Sequence, residues 1–385
     1  MEHDLKKVLG FSILDFLYWA YFGAFLGFVT TYFLSCGMSS SMLSLVMAAY
    51  MFMAFLGAFF WGGMSDKKQS NKKVFIPELI ALTVLCIAEF FLVKVNIFFA
   101  AIMHPLVGFM AAPLGTNLDS WMLRSFHRDA AQFGRARALG SAGYAVMMLI
   151  GGQIYNRIGF SLIPVVTLAL FTIIIILAGI MQEEPYEQIT AKREKVNTKD
   201  LLKIKPYVFL VVTIFLTGIA IAPINNLKIV IIESVGGDVS ILGLDSFIGV
   251  MVQAVFIFIS GNLKRIPSKI RMLTATVLSM VMLVLTWLAV APSMVIIGTV
   301  MNNISYGVLL PTMRETTEKN VPATLKNTAH SLTDAMFGSF AGVIALLYSG
   351  TLMDMFGAKF IAFLGMLIMI VPIGLCIMNL LKKED

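Results

Sequence analysis

The sequence predicts an all-α membrane protein of twelve transmembrane helices in two pseudo-symmetric six-helix bundles. Composition is the first observation behind this: of 385 residues, 58% are hydrophobic and 13% charged, with a mean hydropathy of +0.87. So apolar a chain is not a soluble enzyme. The second is a series of apolar stretches, each long enough to cross a bilayer core of about 30 Å at about 1.5 Å per residue. The third is the placement of Lys and Arg, which alternates from one inter-span segment to the next.

The spans fall at about 8–34, 40–63, 74–94, 97–123, 133–156, 160–181, 206–232, 241–263, 270–290, 294–313, 328–352 and 358–380. The first follows a leader of mixed sign, Glu2-His3-Asp4 then Lys6-Lys7, and is too long for a signal-peptide core, so it reads as a retained helix. With the amino terminus inside, 23 of the 29 basic residues lie in inner segments and three, Lys94, Arg157 and Lys359, in outer loops. That bias places both termini in the cytoplasm, and the expected location is the plasma membrane. The net charge of +7 therefore reflects orientation, and no nucleic-acid partner is implied.

Gln182 to Lys205 is the longest polar stretch, with six basic and five acidic residues. It reads as a cytoplasmic linker between an amino-terminal bundle (1–181) and a carboxyl-terminal one (206–385). Gly140, Gly152 and Gly159 recur 198 residues later as Gly338, Gly350 and Gly357, and Gly62 and Asp66 recur at an offset of 199 as Gly261 and Arg265. Parallel repeats of this kind are common in transporters.

Two motifs carry a family resemblance. Gly62-Gly63-Met64-Ser65-Asp66-Lys67, followed by Lys72 and Lys73, resembles the loop between helices two and three of the major facilitator superfamily, with Gln69, Ser70 and Asn71 where the usual glycine and arginine stand. Phe133-Gly134-Arg135-Ala136-Arg137-Ala138-Leu139-Gly140-Ser141-Ala142-Gly143-Tyr144 is similar to helix five of its lactose-permease and nucleoside-symporter branch. The resemblance covers all twelve spans and implies a secondary transporter working by alternating access. In sugar permeases of that branch, an arginine of helix five and an acid of helix four hold the substrate, with an aromatic residue farther along helix five. Those roles would fall to Arg137, Asp119 and Tyr144.

Spacing supports the pair independently. Asp119 and Arg137 lie nine residues either side of position 128, near the turn of a helical hairpin, so antiparallel helices bring them to similar depth, about 14 Å from that turn. A pair that only locks the hairpin remains the alternative. Asp15 lies early in the first span, with Tyr18, Trp19 and Phe22 after it at helical spacing, a pattern suited to lining a cavity. An acid held out of water is a natural proton carrier, whereas snorkelling to Lys6 and Lys7 would make it structural. Glu89 is a second candidate for proton coupling. Glu78 reads as a structural partner of loop lysines.

The second half is poorer in charge. Asn225, Asn226, Gln253, Asn302, Asn303 and Tyr306 suit a hydroxyl- or amide-bearing solute, or bond helices together. Lys228 answers an acid across a cavity or reaches the outer surface. His330 and Asp334, one turn apart, read as a local pair or gate. Lactose permeases couple sugar to protons through a His and a Glu on helix ten, where this sequence has Asn302, Asn303 and Tyr306. Coupling would then fall to Asp15, Glu89 or Asp119. The glycine-proline pair of exporters is absent between Gly143 and Gly152, which favours uptake.

His127-Arg128-Asp129 copies a kinase tripeptide without the Asn that should follow. No phosphate-binding glycine loop is present, so ATP is not the energy source, and no cofactor or metal site is expected. The three cysteines, Cys36, Cys86 and Cys376, lack paired or metal-ligand spacing. Gly23/Gly27 and Gly338/Gly342 fit helix packing within a monomer.

The reading is a proton symporter of an oligosaccharide or nucleoside-like solute. Asp119, Arg137, Tyr144, Trp19, Phe22, Asn302 and Tyr306 would bind it, Asp15, Asp119 or Glu89 would carry the proton, and Asp66 with Arg265 would latch the cytoplasmic side. The partners are the solute, protons and membrane lipids. A uniporter, an exporter and a non-transporting membrane sensor on the same scaffold are the alternatives.

Overall fold

The computed structural model describes residues 2–127, 129–184, 198–263 and 265–382, without the side chains of residues 2–5, 66, 130–131, 198–199, 260–262, 323 and 327. Among the described residues the chain is helical and contains no strand. Eleven stretches are long and apolar enough to cross a bilayer. The remaining predicted crossing, 133–156, is the 29-residue α6 (Ala130–Ile158). At about 43 Å it is long enough; Arg135, Arg137, Gln153 and Asn156 make it more polar than its neighbours.

The first predicted span is two helices, α1 (Glu2–Phe25) and α2 (Val29–Ser35). They are followed by α3 (Ser40–Lys68), α4 (Lys72–Val95) and α5 (Ala100–Ser125), then α6 and α7 (Ile163–Ile180). The seventh span is likewise two helices, α8 (Lys205–Asn226) and α9 (Lys228–Ser234), followed by α10 (Val239–Leu263), α11 (Ser268–Trp287) and α12 (Pro292–Asn320). The eleventh runs from α13 (Lys326–Ala335) through a π-helical turn, Met336–Phe340, into α14 (Ala341–Phe356), and α15 (Phe360–Leu381) is last.

The backbone keeps the repeat closely. The seven-residue helices α2 and α9 begin 199 residues apart. Gly37 (φ +89°) and Gly236 (φ +82°) are also 199 apart, and Gly159 (φ +88°) and Gly357 (φ +90°) are 198 apart. All four occupy the left-handed region, where a Cβ is penalised, so the turns after equivalent helices require the same residue.

The described residues form two compact units. The first holds those up to Glu184 together with Asp238–Val250, and the second holds Thr198–Gly237 and those from Met251 onward. In the first unit α1 packs on α6 and α7, α3 runs along α5, and α4 lies against α5 and α7. In the second, α8 packs on α14, α15 and the π-turn, while α11 lies against α12 and α15 around Leu210, Ile214, Met272, Met313 and Cys376. Glycine permits the closest crossings: a Cβ on Gly57 of α3 would sit 2.1 Å from the Phe109 carbonyl oxygen of α5, and one on Gly143 of α6 would sit 2.1 Å from that of Phe16. Gly23 and Gly27 serve the same α1–α6 seam, against Tyr144, Met147 and Met148. Gly338 does not act in this way: a Cβ there would meet nothing within 4 Å, and the close approach at the π-turn belongs to Gly218 of α8, against the Phe337 carbonyl at 2.5 Å.

One end of the first unit is tied by a carboxylate just past α7. Glu183 accepts hydrogen bonds from the Asn71 amide (2.5 Å), the Lys72 amide (3.2 Å) and the Ser70 hydroxyl, with Arg124 at 3.9 Å. An acid suits these amides because the first N–H groups of α4 lack intrahelical acceptors. Asn117 of α5 continues the tie: its side-chain oxygen accepts from Asn71 (2.6 Å) and Ser65 (3.3 Å). Lys72 Nζ donates to the carbonyls of Gly179 and Met181, both at 2.7 Å. The residues that depart from the superfamily loop, Gln69-Ser70-Asn71, are thus used here, with Gln69 itself left-handed (φ 51°).

Two outcomes are expected. Gly57→Ala should lower the thermal midpoint by the equivalent of about 1–3 kcal/mol, because backbone cannot yield as a flexible side chain would; an unchanged midpoint contradicts the α3–α5 contact. Glu183→Ala should cost on the order of 1–3 kcal/mol by stranding buried donors, and a calorimetric scan matching wild type contradicts the tie.

Candidate functional site

The α1–α6 seam carries the charged cluster. Because Gly140 and Gly143 replace side chains with backbone, α1 comes near enough for Asp15 to reach α6. A Cβ on Gly140 would lie 2.0 Å from Asp15 Oδ2 and 2.6 Å from Trp19 Cδ1, so this position must stay bare. Arg137, one turn before Gly140, has its Nε 3.3 Å from Asp119 Oδ1 and its Nη1 3.8 Å from Asp15 Oδ2. The structure therefore brings Asp119 and Arg137 together, as the hairpin spacing predicts, and adds Asp15 as a second acid on the same guanidinium. The alternative of Asp15 snorkelling toward Lys6 and Lys7 is corrected: its side chain is wholly buried.

Exposure distinguishes the three groups. Arg137 and Asp119 keep 30% and 35% of their side-chain surface open, so the pair is accessible while Asp15 lies behind it. The Trp19 ring lies under the guanidinium at 4.6 Å from Cζ, a cation–π contact. Half-buried aromatic rings continue from there: Trp19 to Phe22 at 5.4 Å, and Phe22 to Tyr144 at 6.4 Å. Trp19, Phe22 and Tyr144 thus form a strip leading from Arg137 along the seam. Tyr18, expected on that face, is instead fully buried and donates to the Ala111 carbonyl at 3.3 Å.

The other candidates lie elsewhere. Glu89 of α4 is completely buried against His104 of α5, with Oε1 3.2 Å from Nδ1, and the imidazole stacks on Tyr50 at 4.7 Å. It is enclosed and separate from the Asp15–Arg137–Asp119 cluster. The sequence reading missed its His104 partner, although one acid and one histidine on adjacent antiparallel helices are a usable signal. Glu78 is not held by loop lysines: it is fully buried, with Asn117 as the neighbouring hydrogen-bonding group, because its helix face points inward. The Asp66 side chain lies outside the described residues, and Arg265 is exposed in the turn before α11.

In the second unit, Asn302 donates to Asn225 at 3.3 Å, Asn303 to the Thr299 carbonyl at 2.9 Å, and Tyr306 stacks on Phe337 of the π-turn at 6.0 Å. Lys228 Nζ donates to Thr299 Oγ1 at 3.0 Å. His330 and Asp334 do not pair with each other. Each reaches across to α12 instead, His330 to Glu318 at 2.8 Å and Asp334 to Arg314 at 2.7 Å, because α12 runs well beyond its predicted end at 313 and brings its own charges alongside. Among the described residues no cluster of three or more His, Cys, Asp or Glu could hold a metal ion.

Comparison with known proteins accords with this fold. The model of the MFS_1 like family matches residues 8–364. A maltose permease of Geobacillus stearothermophilus is 23% identical over 332 residues, covering 84% of this chain and 82% of that protein. The uncharacterized transporter YwbF of Bacillus subtilis (strain 168) is 24% identical over 308 residues, 77% of this chain and 73% of its own. Among solved structures, the nucleoside transporter NupG (D323A mutant) superposes with a TM-score of 0.86 at 16% identity, over 97% of this chain and 100% of that one. A bacterial homologue of the human lysosomal transporter Spinster, inward-facing and unoccupied, gives 0.72 at 10% identity, over 97% and 96%. With a matching family model along nearly its whole length and the fold of transporters rather than enzymes, the chain belongs to the MFS_1-like family of major facilitator superfamily transporters.

Proposed function

We propose that this transporter takes up a small polar solute, an oligosaccharide or a nucleoside-like molecule, together with protons, by alternating access across the plasma membrane, with both termini in the cytoplasm. The observation that carries the reading is one partly open guanidinium, Arg137, shared by Asp119 at 3.3 Å and a buried Asp15 at 3.8 Å, with the Trp19 ring beneath it. The maltose permease and nucleoside transporter among its relatives support the solute class.

The cluster suits such a solute for two reasons. A guanidinium offers several donors in one plane and a carboxylate offers acceptors, so Arg137 and Asp119 together can bind vicinal hydroxyls or a base edge, while the aromatic strip stacks against a sugar or base face. A solute hydroxyl inserted at the pair replaces charge-assisted bonds with comparable ones, and the desolvated charges stay satisfied.

Charge counting supports the coupling. With all three groups ionised the cluster carries one net negative charge in a poorly solvated place, and a proton on one carboxyl neutralises it. When the solute engages Arg137, the guanidinium's hold on the two acids is redistributed, which links solute occupancy to proton occupancy in both directions.

Solute accumulation in proteoliposomes should follow an imposed pH gradient, acid outside, and collapse when an ionophore dissipates it; a gradient-indifferent flux indicates a uniporter and contradicts coupling. Arg137→Lys should weaken binding of the transported sugar or nucleoside roughly 10–100-fold, because a point charge cannot reproduce a planar fork. Titration calorimetry giving wild-type affinity would assign Arg137 to structure alone.

A further inference from the structure

One buried acid of the first unit takes no part in the Arg137 cluster. Glu78 of α4 is 0% exposed, and among the described residues neither of its carboxyl oxygens has a hydrogen-bond partner. It lies six residues into α4, about 9 Å from the helix start, an end that the sequence reading puts on the cytoplasmic side. A charged carboxyl with neither a countercharge nor a donor is costly in such a place, and taking up a proton removes the cost.

The helices packed around Glu78 supply few titratable groups. α1 presents Tyr18, whose ring meets that of Phe75, one turn before Glu78, edge-on at 6.2 Å. The Tyr18 hydroxyl is within electrostatic reach of Glu78 and also of Asp15, Asp119 and Tyr50 of α3. α5 presents Asn117 to Glu78, while Asp119, two residues on, points about 200° away, toward Arg137. α7 (Ile163–Ile180) holds no titratable residue, and Glu89, farther along α4, is already paired with His104. The Arg137 cluster and Glu78 therefore lie on opposite sides of α5, with Tyr18 within reach of both.

Asn117 also lines a cleft of about 270 Å³ at the same end of the unit. Ser65, Asn71, Thr116 and Ser120 share its polar lining, and Thr116 and Ser120 are exposed. Arg124 lines it too, 3.9 Å from Glu183. The Asn117 side-chain oxygen accepts from Asn71 and Ser65, and one N–H of its amide goes to the Asn71 carbonyl at 3.3 Å. The second N–H of that amide remains to serve a carboxylate at position 78.

Building on proton coupling at the Arg137 cluster, we propose that Glu78 is a second proton-carrying residue of the transport cycle, receiving the proton from that cluster and releasing it to the cytoplasm through the Asn117 cleft. The proton leaves a carboxyl of Asp15 or Asp119 for the Glu78 carboxylate, which becomes neutral as the cluster regains its negative charge. Glu78 then gives the proton to water in the cleft, and the resulting carboxylate accepts the remaining Asn117 N–H until the next proton arrives.

The test uses the full-length protein. Glu78→Gln keeps the shape of a neutral acid, so solute affinity by titration calorimetry should be unchanged, while accumulation in proteoliposomes driven by an acid-outside gradient should fall at least about tenfold. Infrared spectra of the resting protein should lose a protonated-carboxyl band in Glu78→Gln and show it displaced in Glu78→Asp. Gradient-driven accumulation at the wild-type level in the Gln variant overturns the role of Glu78 and leaves coupling at the Arg137 cluster standing. A wild-type flux indifferent to the gradient overturns both. Loss of solute affinity together with accumulation assigns Glu78 to the fold and also overturns the proposal. Where no folded Gln variant is obtained, the Asp variant decides: a carboxyl band identical to that of wild type contradicts a proton on Glu78.

Discussion

A single guanidinium answering two carboxylates is the constraint on which the first unit depends. Arg137 is out of bulk water for much of its surface, and so are Asp119 and Asp15. None of the three can be buried alone without a cost of several kcal/mol, so each fixes the position of the others. Glycine at 140 and 143 then becomes a requirement, because a side chain at either position would drive α1 from α6 and leave Asp15 stranded. The Trp19 ring completes the enclosure from the same helix that supplies Asp15.

The two units repeat in backbone and diverge in chemistry. Left-handed glycines recur at 37 and 236 and at 159 and 357, and short helices recur after the first helix of each half. These are demands of turn geometry, which any side-chain function must respect. Among the described residues the charged cluster has no counterpart in the second unit, where Asn225, Asn302 and Asn303 form neutral hydrogen bonds and Tyr306 rests on the π-turn. π-Turns often accompany functional segments, and this one lies against Gly218, the glycine that allows α8 to approach it. The second unit has ion pairs of its own, Arg271–Glu315, Arg314–Asp334 and His330–Glu318, but among the described residues none shares one guanidinium between two carboxylates.

What could be read from the sequence follows from how local each signal is. Spans are legible because hydropathy sums over twenty residues, and this holds for α6 as well, although Arg135 and Arg137 make it more polar than its neighbours. The Asp119–Arg137 pair is legible because hairpin arithmetic needs only the position of a turn. Asp15 was recognisable as unusual, but its partner was not, since that depends on α1 packing against α6 rather than α5. The loop-lysine reading of Glu78 and the mutual pairing of His330 with Asp334 fail for a related reason: helix rotation, and the true length of α12, decide which neighbour a charge meets. Glu183 lay in a linker whose composition reads as solvated, and only the unsatisfied amides of α4 show why one of its acids is fixed.

Infrared difference spectroscopy of the carboxyl C=O stretch, recorded on adding the transported solute and assigned with Asp15→Asn and Asp119→Asn, tests the shared-guanidinium site most directly. The expected result is a protonated-carboxyl band that changes when solute binds and is lost in one of the two variants. A spectrum in which neither aspartate contributes, with solute binding intact, contradicts a role for this cluster in transport.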